Sequence, residues 1–156
     1  MITYFDTSVL LKLLIDDEVG TDAAQRLWLE SDFVVSAEIG YTEARAALAS
    51  ARRGGRLDAD GLSTAKAELA KLWAQLDVVP VTTEVVLVAG DLAEIEGLRG
   101  YDAVHLAAAL ASNSTVVATA DTQLLAAAQR RQLDVSNPSN PTVHDGPSKR
   151  GDIIRQ

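Results

Sequence analysis

Apolar residues along this chain recur with two periods. Short runs of consecutive apolar or β-prone residues alternate with longer stretches in which apolar residues fall every three or four positions, the patterns of buried strands and amphipathic helices. Met1-Ile2-Thr3-Tyr4-Phe5 reads as a first strand running into Asp6. The apolar set Val9, Leu10, Leu13 and Leu14 follows at once as a helix, with Thr7 and Ser8 as capping candidates. Asp16-Asp17-Glu18 and Gly20 mark a turn, and Ala24, Leu27 and Trp28 place a helix over 21–31. Phe33 to Ser36 is a short strand, followed by a helix from Glu38 to Arg53 that Gly54-Gly55 stops. Leu57 to Leu76 reads as a further helix, and Val78-Val79-Pro80-Val81 as a strand confined to an edge because proline cannot donate to a central ladder. Helices over about 83–96, ended by Gly97, and from Tyr101-Asp102 through Ala111 come next. Ser114 to Thr119 is a strand, a helix runs through Leu125 to Arg131, and Leu133-Asp134-Val135 is a last short strand. Strands alternating with helices predict an α/β fold, three-layer α/β/α, with a central and mainly parallel sheet.

Composition narrows this picture. A chain of 156 residues, 47% hydrophobic, is one ordinary domain with a single core. Beyond Ser136 the sequence turns to Asn-Pro-Ser-Asn-Pro and a mildly basic end, so a domain over 1–138 and a polar tail over 139–156 are expected. No apolar run approaches the length of a membrane span and no basic-then-apolar leader opens the chain, so the expected address is the cytoplasm. The absence of cysteine excludes disulfides, thiolate metal sites and cysteine nucleophiles, and only two histidines remain as nitrogen ligands. Any metal would be held mainly by oxygen, which favours Mg2+ or Mn2+ over zinc. A formal charge of -8 argues against a broad basic surface for nucleic acid. It is compatible with carboxylates grouped around a cation, and equally with plain solubility.

Four acids can be placed on the predicted frame. Asp6 and Asp121 each follow a strand directly and so project from the carboxyl edge of the sheet, where open α/β sheets build their sites. Asp102 lies in a first helical turn, where the macrodipole tolerates an anion. Glu43 shares its helix with Ile39, Gly40, Ala46 and Ala47, which aims it towards packing rather than water. Each has a plainer explanation. Asp6 and Asp121 can simply cap helices, Asp102 can be a favourable first-turn charge, and Glu43 can pair with Arg45 or Arg99 or, on another helix phase, be solvated. Together they would repel unless a cation offset them, which fits an oxygen-ligand site for phosphodiester hydrolysis.

At these residues the chain resembles the PIN-domain ribonucleases, specifically the VapC-type toxins of bacterial and archaeal toxin–antitoxin pairs. The matching stretches are Tyr4-Phe5-Asp6-Thr7-Ser8-Val9-Leu10, Tyr41-Thr42-Glu43-Ala44-Arg45-Ala46-Ala47-Leu48, Leu98 to Ala107 around Asp102, and Val117-Ala118-Thr119-Ala120-Asp121-Thr122-Gln123-Leu124. The resemblance implies a Mg2+- or Mn2+-dependent endoribonuclease that cuts single-stranded or looped RNA, is held inactive by a small antitoxin, and forms a homodimer. It assigns Asp6, Glu43, Asp102 and Asp121 to the acidic metal-site positions and Thr119 to a supporting hydroxyl. Thr7 could serve similarly, although helix capping is its expected role. His105 is expected to be a packed helix residue without chemistry. Arg52-Arg53-Gly54-Gly55-Arg56 is either a phosphate contact or a solvated helix end, and Trp28 and Trp73 are core residues or the floor of an antitoxin groove.

Two other strand-and-aspartate chemistries fit less well. An aspartyl-phosphate phosphatase needs a second aspartate where Ser8 stands, and a receiver domain needs a late strand-end lysine that is missing. The alternative is a catalytically silent PIN-like module that binds RNA or protein.

Overall fold

The sheet is entirely parallel. In the computed structural model, which describes residues 1–15 and 19–140, its strands are β1 (Ile2–Phe5), β2 (Phe33–Ala37), β3 (Asp77–Val79), β4 (Val116–Ala118) and β5 (Asp134–Ser136). Their spatial order is β3-β2-β1-β4-β5, so the first strand is the central one. Tyr4 pairs with Val35 on one side and Val117 on the other, and Phe5 with Ala118. β3 lies at an edge, as Pro80 requires, with the proline just outside the strand.

Because successive strand residues point to opposite faces, Tyr4 and Phe5 open two separate cores. Tyr4, Val35, Val117 and Val135 are buried under α5 (Thr83–Glu96), α6 (Gly100–Ala111) and α7 (Thr122–Arg130). Phe5, Val34 and Ala118 are buried under α1 (Thr7–Leu14) and α2 (Thr21–Glu30). That layer continues into a third cluster with α3 (Ile39–Arg53) and α4 (Ala59–Trp73), built on Leu14, Leu48 and Leu69. The result is the expected α/β/α sandwich.

Several expectations are corrected in detail. Asp6, not Thr7 or Ser8, is the N-cap of α1, accepting from the Val9 N–H. Thr7 and Ser8 already belong to its first turn and turn their hydroxyls elsewhere. α4 begins behind its own cap, Asp58, and ends at Trp73, short of Leu76. Ser136 belongs to β5, and Asn137 and Pro138 behind it are buried. There the Pro138 carbonyl closes on Gly20, whose φ of +95° and lack of a Cβ are both needed, since a Cβ would sit 2.3 Å from that oxygen. The predicted turn at Asp16-Asp17-Glu18 and the tail from residue 141 onwards lie outside the described residues. Among the described residues no helix is long and apolar enough to cross a membrane.

Candidate active site

Parallel strands flanked by returning helices send several helix N-termini to one edge of the sheet. Here α1 follows β1, α3 follows β2 and α7 follows β4, while α6 leads back into β4 and so starts at the same edge. These helix starts bring four acids to that edge, Asp6 and Asp121 as caps, Asp102 in a first turn and Glu43 in a second, and the caps and first turn are positions where amide dipoles favour anions.

Asp6 is the most enclosed, at 5% exposure. Ser8 Oγ donates to its Oδ1 at 2.5 Å, the Val9 N–H to the same oxygen at 3.2 Å, and Thr119 Oγ1 to Oδ2 at 2.6 Å. The last bond follows from the β1–β4 register, which sets the residue after Phe5 beside the residue after Ala118. Burial pushes the Asp6 carboxyl above the ordinary carboxylate range. The neighbouring His105 imidazole and the donated hydrogen bonds pull it down without cancelling that rise.

Asp121 caps α7 through Oδ1, which accepts from the N–H groups of Gln123 and Leu124 at 3.0 and 2.9 Å. Its own N–H donates to Thr119 Oγ1 at 3.0 Å, so that one hydroxyl ties Asp121 to Asp6. Arg99 donates from Nε to Asp102 Oδ2 at 2.9 Å and from a terminal nitrogen to Asp121 Oδ2 at 3.2 Å. The Arg99 side chain is 75% exposed, whereas those of Asp102 and Asp121 are 15% and 28% exposed.

Glu43 is half-buried in the second turn of α3. Thr7 Oγ1 donates to its Oε1 at 2.9 Å, and His105 Nε2 lies 2.6 Å from the same oxygen. Burial works against its ionisation, but the neighbouring His105, bonded to it, and the bond from Thr7 outweigh it and hold the carboxyl below its ordinary range. The partner is thus His105, neither Arg45 nor Arg99. Arg45 donates instead to the Tyr41 hydroxyl, and Arg99 holds the two aspartates.

The contacts close a ring. It runs from Asp6 through Thr119 to Asp121, by Arg99 to Asp102, along one turn of α6 to His105, then through Glu43 and Thr7 back to the residue after Asp6. All six predicted site residues lie on this ring. Sequence reasoning missed the roles of Arg99, Ser8, His105 and Tyr4. His105 is packed as expected, at 3% exposure, but both its nitrogens are engaged, the second with Tyr4. Its spacing of three from Asp102, one helical turn on the same face, was the available signal. The basic stretch around Arg52 is an exposed helix end, and Trp28 and Trp73 are partly buried against Phe5 and Tyr41.

Among the described residues no three acid or histidine side chains are drawn together tightly enough to enclose one ion. The donors nevertheless fit a hard divalent cation in kind. They are carboxylate and hydroxyl oxygens with no thiolate, and two of the carboxylates share the single charge of Arg99.

Comparison with known proteins agrees with this arrangement. Residues 3–130 match the PIN domain. Ribonuclease VapC45 of Mycobacterium tuberculosis (strain CDC 1551 / Oshkosh) is 43% identical over 110 residues, covering 70% of this chain and 76% of that protein. The crystal structure of Mycobacterium tuberculosis VapC20, described as a sarcin-ricin loop cleaving toxin, superposes with a TM-score of 0.63 at 19% identity over 80% of this chain and 94% of that one. A toxin–antitoxin complex from Klebsiella pneumoniae has a TM-score of 0.62 at 17% identity, over 87% of this chain and 97% of the other. With the family match spanning most of the chain and the VapC relative well above the identity that coincidence produces, the chain belongs to the PIN-domain family, in its VapC-type branch.

Proposed function

We infer that this protein is an endoribonuclease, the toxin of a type II toxin–antitoxin pair, which hydrolyses RNA phosphodiester bonds with the help of a divalent cation. The observation that carries the reading is the closed ring of contacts joining Asp6, Asp121, Asp102 and Glu43 at one sheet edge. The VapC45 and VapC20 likenesses support RNA as substrate, and the Klebsiella complex supports a small antitoxin as partner. A cytoplasmic place of action accompanies that reading. PIN-domain ribonucleases in general depend on a divalent metal, and the all-oxygen donor set favours Mg2+ or Mn2+ here.

Asp6, Asp102 and Asp121 would hold the cation, directly or through water. When bound, the cation supplies polarisation of the scissile phosphate and a water of lowered pKa. The chain's own residues prepare for that. Ser8, Thr119 and the Val9 N–H fix both Asp6 oxygens while it is ionised. Thr7 and His105 both bond Glu43 Oε1, which leaves Oε2 to ligate the cation or orient the attacking water. Arg99 lies at the exposed rim, within reach of a phosphate.

The test is cleavage of a total RNA pool by the purified chain, free of any partner, with Mg2+ or Mn2+ and with chelator. Cutting that needs the metal and is lost in Asp6→Asn and Asp121→Asn is the expected result. A chain that binds Mn2+ and cuts no RNA would instead be the silent binding module.

A further inference from the structure

Behind Glu43 the site continues into the core. Tyr4, wholly buried on the central strand, accepts a hydrogen bond at its Oη from the Ala37 N–H at 3.1 Å, and the same oxygen lies 2.6 Å from His105 Nδ1. On the other side of the ring, His105 Nε2 lies 2.6 Å from Glu43 Oε1. Burial raises the Tyr4 hydroxyl well above its ordinary value, so it keeps its proton. A phenol has one proton to give. With Ala37 already donating to the oxygen, that proton points at Nδ1. The accepting nitrogen of a neutral imidazole is Nδ1 in that case, so the ring carries its proton on Nε2 and donates it to the carboxylate.

We propose that Tyr4 and His105 form a directed hydrogen-bond arm, from Ala37 N–H through Tyr4 and His105 to Glu43 Oε1, which makes His105 a positioning residue for Glu43. Its function in catalysis rests on the ribonuclease reading above, but its geometry does not. Both donors to Oε1 come from rigid places. Thr7 sits in the first turn of α1, and His105 is anchored by the central strand through Tyr4. A carboxylate gripped at one oxygen from two sides has its second oxygen aimed. Without the arm, the Glu43 side chain would sample its other rotamers on α3. His105 makes and breaks no bond of the reaction.

The first test is nitrogen NMR of the full-length chain labelled at histidine, without metal, where His144 serves as the only other signal. The arm requires His105 protonated on Nε2 and bare on Nδ1, with that preference lost in Tyr4→Phe. A ring protonated on Nδ1, or on both nitrogens, overturns it. The second test is Mn2+ binding by calorimetry, followed by kcat and KM separately. His105→Leu should weaken Mn2+ binding or kcat by about 10- to 100-fold with KM for RNA nearly unchanged. His105→Gln, which places an amide N–H near the former Nε2, should recover most of that loss. Equal behaviour of the Leu and Gln variants overturns the positioning role. Should His105→Leu fail to fold, the Gln variant and Tyr4→Phe still decide. If wild-type protein cuts no RNA, the ribonuclease reading falls while the NMR and Mn2+ measurements still judge the arm.

Discussion

Thr119 Oγ1 donates to Asp6 Oδ2 at 2.6 Å across two neighbouring parallel strands, and the same oxygen accepts from the Asp121 N–H. One hydroxyl therefore sets the spacing of two acids that come from opposite halves of the chain. Thr119→Val keeps the shape and removes both bonds. The ionised form of Asp6 then loses a donor, and its carboxyl, already raised by burial, rises further. Cleavage should fall about 10- to 100-fold. The acid limb of the pH–rate profile should move to higher pH, because Asp6 must be ionised to hold a cation. An unmoved acid limb would mean that Asp6 does not set it.

The same burial makes a prediction about stability. A carboxyl raised in the folded chain binds its proton more tightly there than when unfolded. Its contribution is therefore present at low pH and is lost as pH rises from the ordinary value of 3.8 to the folded one. Metal-free protein at neutral pH thus carries a buried charge that opposes folding. Mn2+ at about 100 times its dissociation constant should raise Tm by about 5 to 10 °C near neutrality and by much less where Asp6 is protonated. Asp6→Asn should remove both the metal effect and more than about 99% of cleavage while leaving the metal-free fold at least as stable. Loss of secondary structure in that variant would instead make Asp6 a structural cap.

Arg99 places a guanidinium on Asp102 and Asp121, the two acids of the site that are least enclosed after Glu43. It therefore competes with any divalent ion for the same oxygens. Because the arginine is mostly exposed, Arg99→Ala should cost the fold little. The metal concentration for half-maximal activity should fall by no more than about fivefold, the scale of an exposed ion pair. If Arg99 also receives the RNA phosphate, KM for RNA should rise in the same variant. A metal requirement that increases would show the arginine to be a support for the acids, not a rival for them.

Much of this was legible in the sequence because strand, turn and helix alternate in a regular order. The strand-end positions of Asp6 and Asp121 and the first-turn position of Asp102 followed from that order alone. Glu43 was harder. Helical spacing placed it against small residues, but its partner is 62 positions away, and neither period nor propensity reports a contact of that range. For the same reason His105 looked like filler, since an imidazole on an apolar helix face is packed whether or not it bonds a carboxylate. That Asp6 caps α1 bears out its plainer reading, while Thr7 and Ser8, the other capping candidates, stand one or two residues too late. Three candidate caps stood in a row, and the strand register decided which of them turned into the helix.

Gly40 offers a test of how rigidly Glu43 is held. In an exposed helix, alanine for glycine stabilises by about 1 kcal/mol. Gly40 is instead buried in the first turn of α3, and a Cβ there would meet Ser36 Oγ at 3.0 Å, with Thr7 Oγ1 and the Trp73 ring each at 3.7 Å. Ser36 cannot retreat freely, because it is itself fully buried and its hydroxyl is bonded to the Phe5 carbonyl at 2.8 Å. The added methyl must therefore push α3 away from Ser36 on β2, and Glu43 lies one turn further along the same helix face. The crowding outweighs the propensity gain, so Gly40→Ala should destabilise the fold by about 1 to 2 kcal/mol. It should also lower kcat more than KM, since the shift separates Glu43 from Thr7 and His105. Thermal unfolding and steady-state cleavage measured on the same preparation check both halves. A variant more stable than wild type would mean that Ser36 gives way and that the glycine is not needed for the close approach.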